Sequence, residues 1–194
     1  MTTVPAAAAE SSSRRFDPTA LLVGVGMLVL GAAAGTLWAF TTPVATVEVT
    51  GDGVAFSAAQ TARLFGGVAV FGLIAAGLGL LIGVLVWVLL TKARGPAGVL
   101  FAVVGAASSS GIAMQVGESI AAARFPGIDA HTVGTYRMTG GLWLTDAALA
   151  GLPTPWLLLT CAPGMAALVY FIGTAGASDT ADDEPESSDP ATAP

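Results

Sequence analysis

Four long apolar runs, at residues 19–41, 64–91, 96–121 and 153–175, alternate with polar segments along the chain, and the only charged residue inside them is Glu118. An α-helix needs about 20 apolar residues to cross a hydrocarbon core of about 30 Å. Each run therefore predicts a membrane helix, and the four together predict an all-α membrane protein, a bundle of four transmembrane helices. The expected helices cover 19–41, 62–91, 96–122 and 153–175, within a membrane domain of residues 17–176. Asp17-Pro18 suits the start of the first helix, with Asp as cap and Pro in the first turn, and Thr42-Pro43 ends it. Lys92-Ala93-Arg94-Gly95 is a tight link to Pro96, which opens the third helix and makes the second and third antiparallel neighbours. Pro153 and Pro155 open the fourth, and Pro163-Gly164 predicts a kink in it.

The polar segments differ in kind. Residues 1–16 are rich in Ala, Ser and Thr and 177–194 in Asp, Glu, Ser and Pro, so both read as disordered tails. Residues 42–61 and 123–152 are connections long enough to fold. In the first, Val47 and Val49 alternate with Glu48 and Thr50 before Gly51-Asp52-Gly53, a β-hairpin signal. With Asp52-Gly53 as the turn, Val49 is expected opposite Phe56 and Val47 opposite Ala58. In the second, His131-Thr132-Val133 and Thr135–Met138 predict a short strand pair, broken by Gly140-Gly141. The two connections are expected to form a small, β-hairpin-containing cap on the extracytoplasmic side. With the N-terminus inside, Arg14, Arg15, Lys92 and Arg94 lie inside and Arg63, Arg124 and Arg137 outside, a small excess of basic residues on the inner face. Both termini are then expected to be cytoplasmic.

Composition narrows function mainly by exclusion. The chain is 54% hydrophobic and 10% charged, and its formal net charge of −6 comes from Asp179, Asp182, Asp183, Glu184, Glu186 and Asp189 in the C-terminal tail. That acidity identifies no cationic substrate, and nothing is basic enough for nucleic acid. The one cysteine, Cys161, lies in the fourth run and reads as a small packing residue. Trp38, Phe40 and Trp156 stand near helix ends, where aromatic rings favour the headgroup boundary.

Small residues recur at helical spacing: Gly31 and Gly35; Ala75, Gly79 and Gly83; Gly98, Ala102, Ala106 and Ser110. Such ladders let helix backbones approach closely in lipid, and the tight link makes the second and third helices the natural partners. Ser108, Gln115 and Glu118 share a polar face of the third helix. One reading is a proton or solute path; the plainer one is serines bonding to their own helix and Glu118 pairing with Arg124, Arg63 or Arg137. His131 and Asp129 alternate on a possible strand, too few ligands for a metal site. Phe56, Tyr136 and Trp143 are expected on the outer face as a docking surface. No nucleophile–base pairing, zinc signature or phosphate loop occurs, so neither a cofactor nor a metal is expected.

The order of elements resembles an actinobacterial, mycobacterial-type family of four-pass membrane proteins of unknown function. The resemblance spans residues 37–175. It rests on Leu37-Trp38-Ala39, the strand pair around Gly51-Asp52-Gly53, Arg94-Gly95-Pro96, Arg124-Phe125-Pro126-Gly127-Ile128-Asp129, and Pro163 followed by Ala166-Ala167-Leu168-Val169-Tyr170. It implies an inner-membrane location and carries no functional residue across. The reading favoured by the residues is a non-enzymatic accessory or scaffold subunit of cell-envelope machinery, whose partners are the lipid bilayer and another membrane or envelope protein. The alternatives are a small proton-coupled transporter or channel using the third helix, and an outer-face lipid-modifying enzyme using Asp129, His131 and Arg137.

Overall fold

The computed structural model describes residues 18–51, 53–55, 57–91, 95–125, 132–142, 148–149, 152–153 and 156–182. Among them are four helices long and apolar enough to cross a membrane: α1 (Pro18–Thr41), α2 (Ala58–Leu89), α3 (Pro96–Arg124) and α4 (Trp156–Asp182). Between α1 and α2 lie β1 (Val44–Thr50) and β2 (Gly53–Ala55); between α3 and α4 lie β3 (Gly134–Thr139), β4 (Ala148–Leu149) and β5 (Leu152–Pro153).

The helix limits follow local chemistry. Helix α2 starts at Ala58, ahead of its apolar run, because Ser57 and Gln60 form a capping box: the Gln60 N–H donates to Ser57 Oγ at 3.3 Å and the Ser57 N–H to Gln60 Oε1 at 2.9 Å. Helix α4 starts at Trp156, not 153, since Pro153 is taken up in the β4–β5 pair. It runs through Pro163 without a break and on to Asp182, into the segment expected to be a disordered tail. Proline is the strongest helix breaker, and none occurs between Pro163 and Pro185.

The strands depart from the expected pairing. The hairpin closes one position early: Thr50 pairs with Gly53 across Gly51 and Asp52, and Val49 faces Val54 instead of Phe56. Gly53 sits at φ 129°, a conformation that only glycine adopts readily, and Thr50 Oγ1 donates to its carbonyl at 3.2 Å. Ala58 is helical, so Val47 instead pairs with Tyr136 of β3. The second connection thus contributes β3 to the first connection's hairpin, and its own strand pair, β4–β5, lies farther along than the expected 131–138. The result is a three-stranded antiparallel sheet, β2–β1–β3, in which β1 is central. Ala45, Val47 and Val49 fill its buried face, while Glu48, Thr50, Thr135 and Arg137 are exposed on the other.

The helix partners also differ from expectation. The principal contacts are α1 with α3 and α2 with α4, not α2 with α3. Side chains at Gly31 and Gly35 would collide with the backbone at Ser109 and Ala113, so α1 and α3 touch there main chain to main chain. Gly79 and Gly83 meet Ala162 and Ala166 of α4 in the same way. In both seams the contacts advance together along the two helices, so the paired helices run parallel. A short link fixes only that two helices are antiparallel; the small-residue ladders choose which backbones approach closely.

Candidate functional site

The end of the bundle that carries the sheet gathers polar and aromatic ties between several elements. Trp38 lies one helical step beyond Gly31 and Gly35 on the packing stripe of α1 and is fully buried among the helices. Its Nε1–H donates to the Gly67 carbonyl of α2 at 2.8 Å, and its ring meets Phe71 edge-to-face at 6.0 Å. Gly117 of α3 leaves room for the same ring, where an added Cβ would come within 2.8 Å. One side chain therefore ties α1, α2 and α3 together.

The second connection is held by Glu118. Its Oε1 accepts the backbone N–H of Leu142 at 2.9 Å, and the Leu142 side chain is completely buried. Gly140, just after β3, lies on the α2 backbone at Leu64, where no side chain would fit. A buried main-chain N–H without a partner is costly, so a carboxylate that accepts it fixes where the connection crosses the bundle.

Arg124 answers a different local need. The Ala39 carbonyl would normally accept from the residue at 43, but Pro43 has no N–H. Arg124 Nη1 donates to that carbonyl from the end of α3, at 2.5 Å. The same guanidinium lies 4.5 Å from the centroid of the Phe40 ring and 5.3 Å from that of Phe125. Arg137, from the exposed face of β3, approaches the same Phe125 ring at 5.8 Å. Among the described residues no carboxylate forms an ion pair with either arginine. The Tyr136 hydroxyl donates to the Thr132 carbonyl at 3.0 Å, and its ring is half-buried.

The polar face of α3 does not line a common interior space. Ser108 and Gln115 are exposed, and Glu118 is half-buried beneath the second connection. The buried polar side chains among the described residues are Thr42, Ser109 and Ser110. Ser109 Oγ lies 2.8 Å from both the Met27 and the Gly105 carbonyls, a tie within the α1–α3 seam. Ser108 instead edges an apolar groove of about 440 Å³ between α1 and α3, with Leu21, Val25, Leu28, Phe101 and Val104. The packing residues Gly31, Gly35, Ala75, Gly79, Gly83, Gly98, Ala102, Ala106 and Ser110 are all buried. Phe56, Asp129, His131 and Trp143 lie outside the described residues. Among the described residues no three His, Cys, Asp or Glu side chains converge.

Two residues of this site escape a reading from composition. Trp38 resembles a boundary aromatic until its spacing from Gly31 and Gly35 is counted. Arg124 resembles an ion-pair partner for Glu118 until Pro43 is seen to orphan the Ala39 carbonyl. No curated protein and no solved structure matches the chain. Residues 27–183, most of its length, match the family model described as protein of unknown function (DUF2567), and the chain belongs to that family.

Proposed function

We propose that this chain crosses the plasma membrane four times and serves as a non-enzymatic accessory or scaffold subunit of cell-envelope machinery. Both termini and the α2–α3 link are cytoplasmic, and the sheet lies on the extracytoplasmic side. The observation that carries the reading is the joining of two long connections into one sheet, pinned to one end of the bundle by Glu118 and by the close approach of Gly140 to α2. Loops that merely link helices need no such construction, whereas a rigid surface at the end of a bundle suits recognition. The basic residues distribute in the same sense, with Arg14, Arg15, Lys92 and Arg94 toward the cytoplasm.

The test is affinity purification of the full chain from membranes after crosslinking in intact cells. The expected result is repeated recovery of one envelope protein in near-equal amount, lost when the exposed sheet face is altered by Thr46→Arg with Thr135→Arg. Recovery of no envelope protein above the level of an unrelated four-helix membrane protein would contradict the reading.

A further inference from the structure

We propose that Arg124 and Arg137, gathered about the Phe125 ring, form a receptor for the phosphate of an anionic phospholipid headgroup. The inference rests on the membrane reading above and adds to it a ligand and the residues that bind it.

Two cations beside one ring repel each other, and stacking on a phenyl face offsets only part of that repulsion. Each guanidinium has five N–H donors. One nitrogen of Arg124 serves the Ala39 carbonyl, and among the described residues Arg137 makes no hydrogen bond and no carboxylate pairs with either arginine. Among the described residues the two guanidinium groups, 5.3 and 5.8 Å from the Phe125 centroid, thus keep several donors open to a ligand. A phosphate meets that need well, since its oxygens accept two parallel N–H bonds from a guanidinium and can bridge two of them.

Position selects the lipid as the source of that phosphate. Arg124 is the last residue of α3, and Phe40 is one residue from the end of α1. These are the levels at which both apolar runs stop, hence the headgroup level in a bilayer. Phe40 is 64% exposed and lies directly beside the Arg124 guanidinium. A ligand seated there meets positive charge on one side and bare aromatic surface on the other. A phospholipid, with an anionic head joined to acyl chains, matches both; free phosphate matches only the first.

The test uses the full chain in nanodiscs of phosphatidylcholine containing a minor fraction of phosphatidylglycerol. Native mass spectrometry reads the ratio of the two lipids retained on the released protein. The wild type is expected to retain phosphatidylglycerol in excess of its share, and excess inorganic phosphate should not displace it. Arg137→Gln, at an exposed position, should lower the enrichment about tenfold, the weight of one charge-assisted hydrogen bond. Arg124→Gln with Arg137→Gln should remove it, while Arg137→Lys should restore only part.

Arg63→Gln provides the control, because it removes the same charge from an exposed position at the same end of the bundle. An equal loss with Arg63→Gln would reduce the effect to bulk charge and overturn the proposal. Displacement by inorganic phosphate would overturn the lipid assignment. An unchanged lipid ratio in Arg137→Gln, accompanied by loss of a bound protein, would give the pair to a protein carboxylate instead. A chain that fails to enter nanodiscs at all would contradict the membrane reading rather than this site.

Discussion

The middle of the bundle and its sheet end are held together by different physics. In the middle, Gly31, Gly35, Gly79 and Gly83 bring backbone against backbone, Ser109 adds a hydrogen bond to the Met27 carbonyl, and specificity comes chiefly from shape. At the sheet end, Glu118 and Arg124 each satisfy a main-chain group on a distant element, Trp38 adds a second donor to the Gly67 carbonyl, and specificity comes from hydrogen bonds. The difference fits the two environments. On the membrane reading proposed above, burial between helices in lipid brings little hydrophobic gain, so close packing dominates. Where helices give way to strands and turns, carbonyl and N–H groups lose their regular partners and side chains must supply new ones.

If that division is right, the largest effect should come from filling a seam. Gly79→Leu places a side chain against the Ala162 backbone, which has no flexible end to yield. It should cost more than about 3 kcal/mol or prevent folding, read as the loss of a cooperative unfolding transition in detergent. A protein that tolerates it with wild-type stability would remove the seam from the account. Trp38→Phe keeps most of the ring but leaves the Gly67 carbonyl without its second donor. A loss of about 1–3 kcal/mol is expected in the same assay. No loss would mean that shape, not hydrogen bonding, holds the sheet end as well.

Glu118→Gln sharpens the contrast further, since the amide oxygen still accepts from Leu142 but without a charge. The expected loss is about 0.5–1.5 kcal/mol, with faster exchange of the Leu142 amide and little change at mid-bundle amides. Uniformly faster exchange throughout would show the two regions to be one cooperative unit. Gly77→Ala is the smallest change: Gly77 is exposed on α2 and an added Cβ meets nothing within 4 Å. It should stabilise the helix by up to about 1 kcal/mol, opposite in sign to Gly79→Leu two residues away.

The same division explains what could be read in the sequence. Helix number and approximate limits are legible because a bilayer demands long apolar runs, and the small-residue ladders are legible as packing faces. Which ladder meets which is not. The link through Gly95 points to α2 with α3, yet the ladders pair α1 with α3 and α2 with α4. Loop length constrains direction, while partner choice depends on the fit of two surfaces that no single stretch contains. The strands show the same limit. Alternation around Val47 and Val49 reveals β1, but its second partner is β3, far along the chain, and the hairpin register turns on the conformation of Gly53. Pro43 is visible in the sequence as a helix stop; that its lost N–H is replaced by Arg124 requires the end of α3 to stand beside the end of α1.

The most direct test of the account is disulfide trapping across the sheet in membranes, in a Cys161→Ser background. Glu48 and Thr135 are cross-strand partners, both exposed, and come from the two separate connections. Facing residues of antiparallel strands stand about 4.5–5.5 Å apart, within the span of a disulfide. Glu48→Cys with Thr135→Cys should crosslink within one chain under mild oxidation, and Glu48→Cys with Thr139→Cys, out of register, should not. Crosslinking of the second pair in preference to the first, or of neither, would contradict the single sheet on which the proposed recognition surface depends.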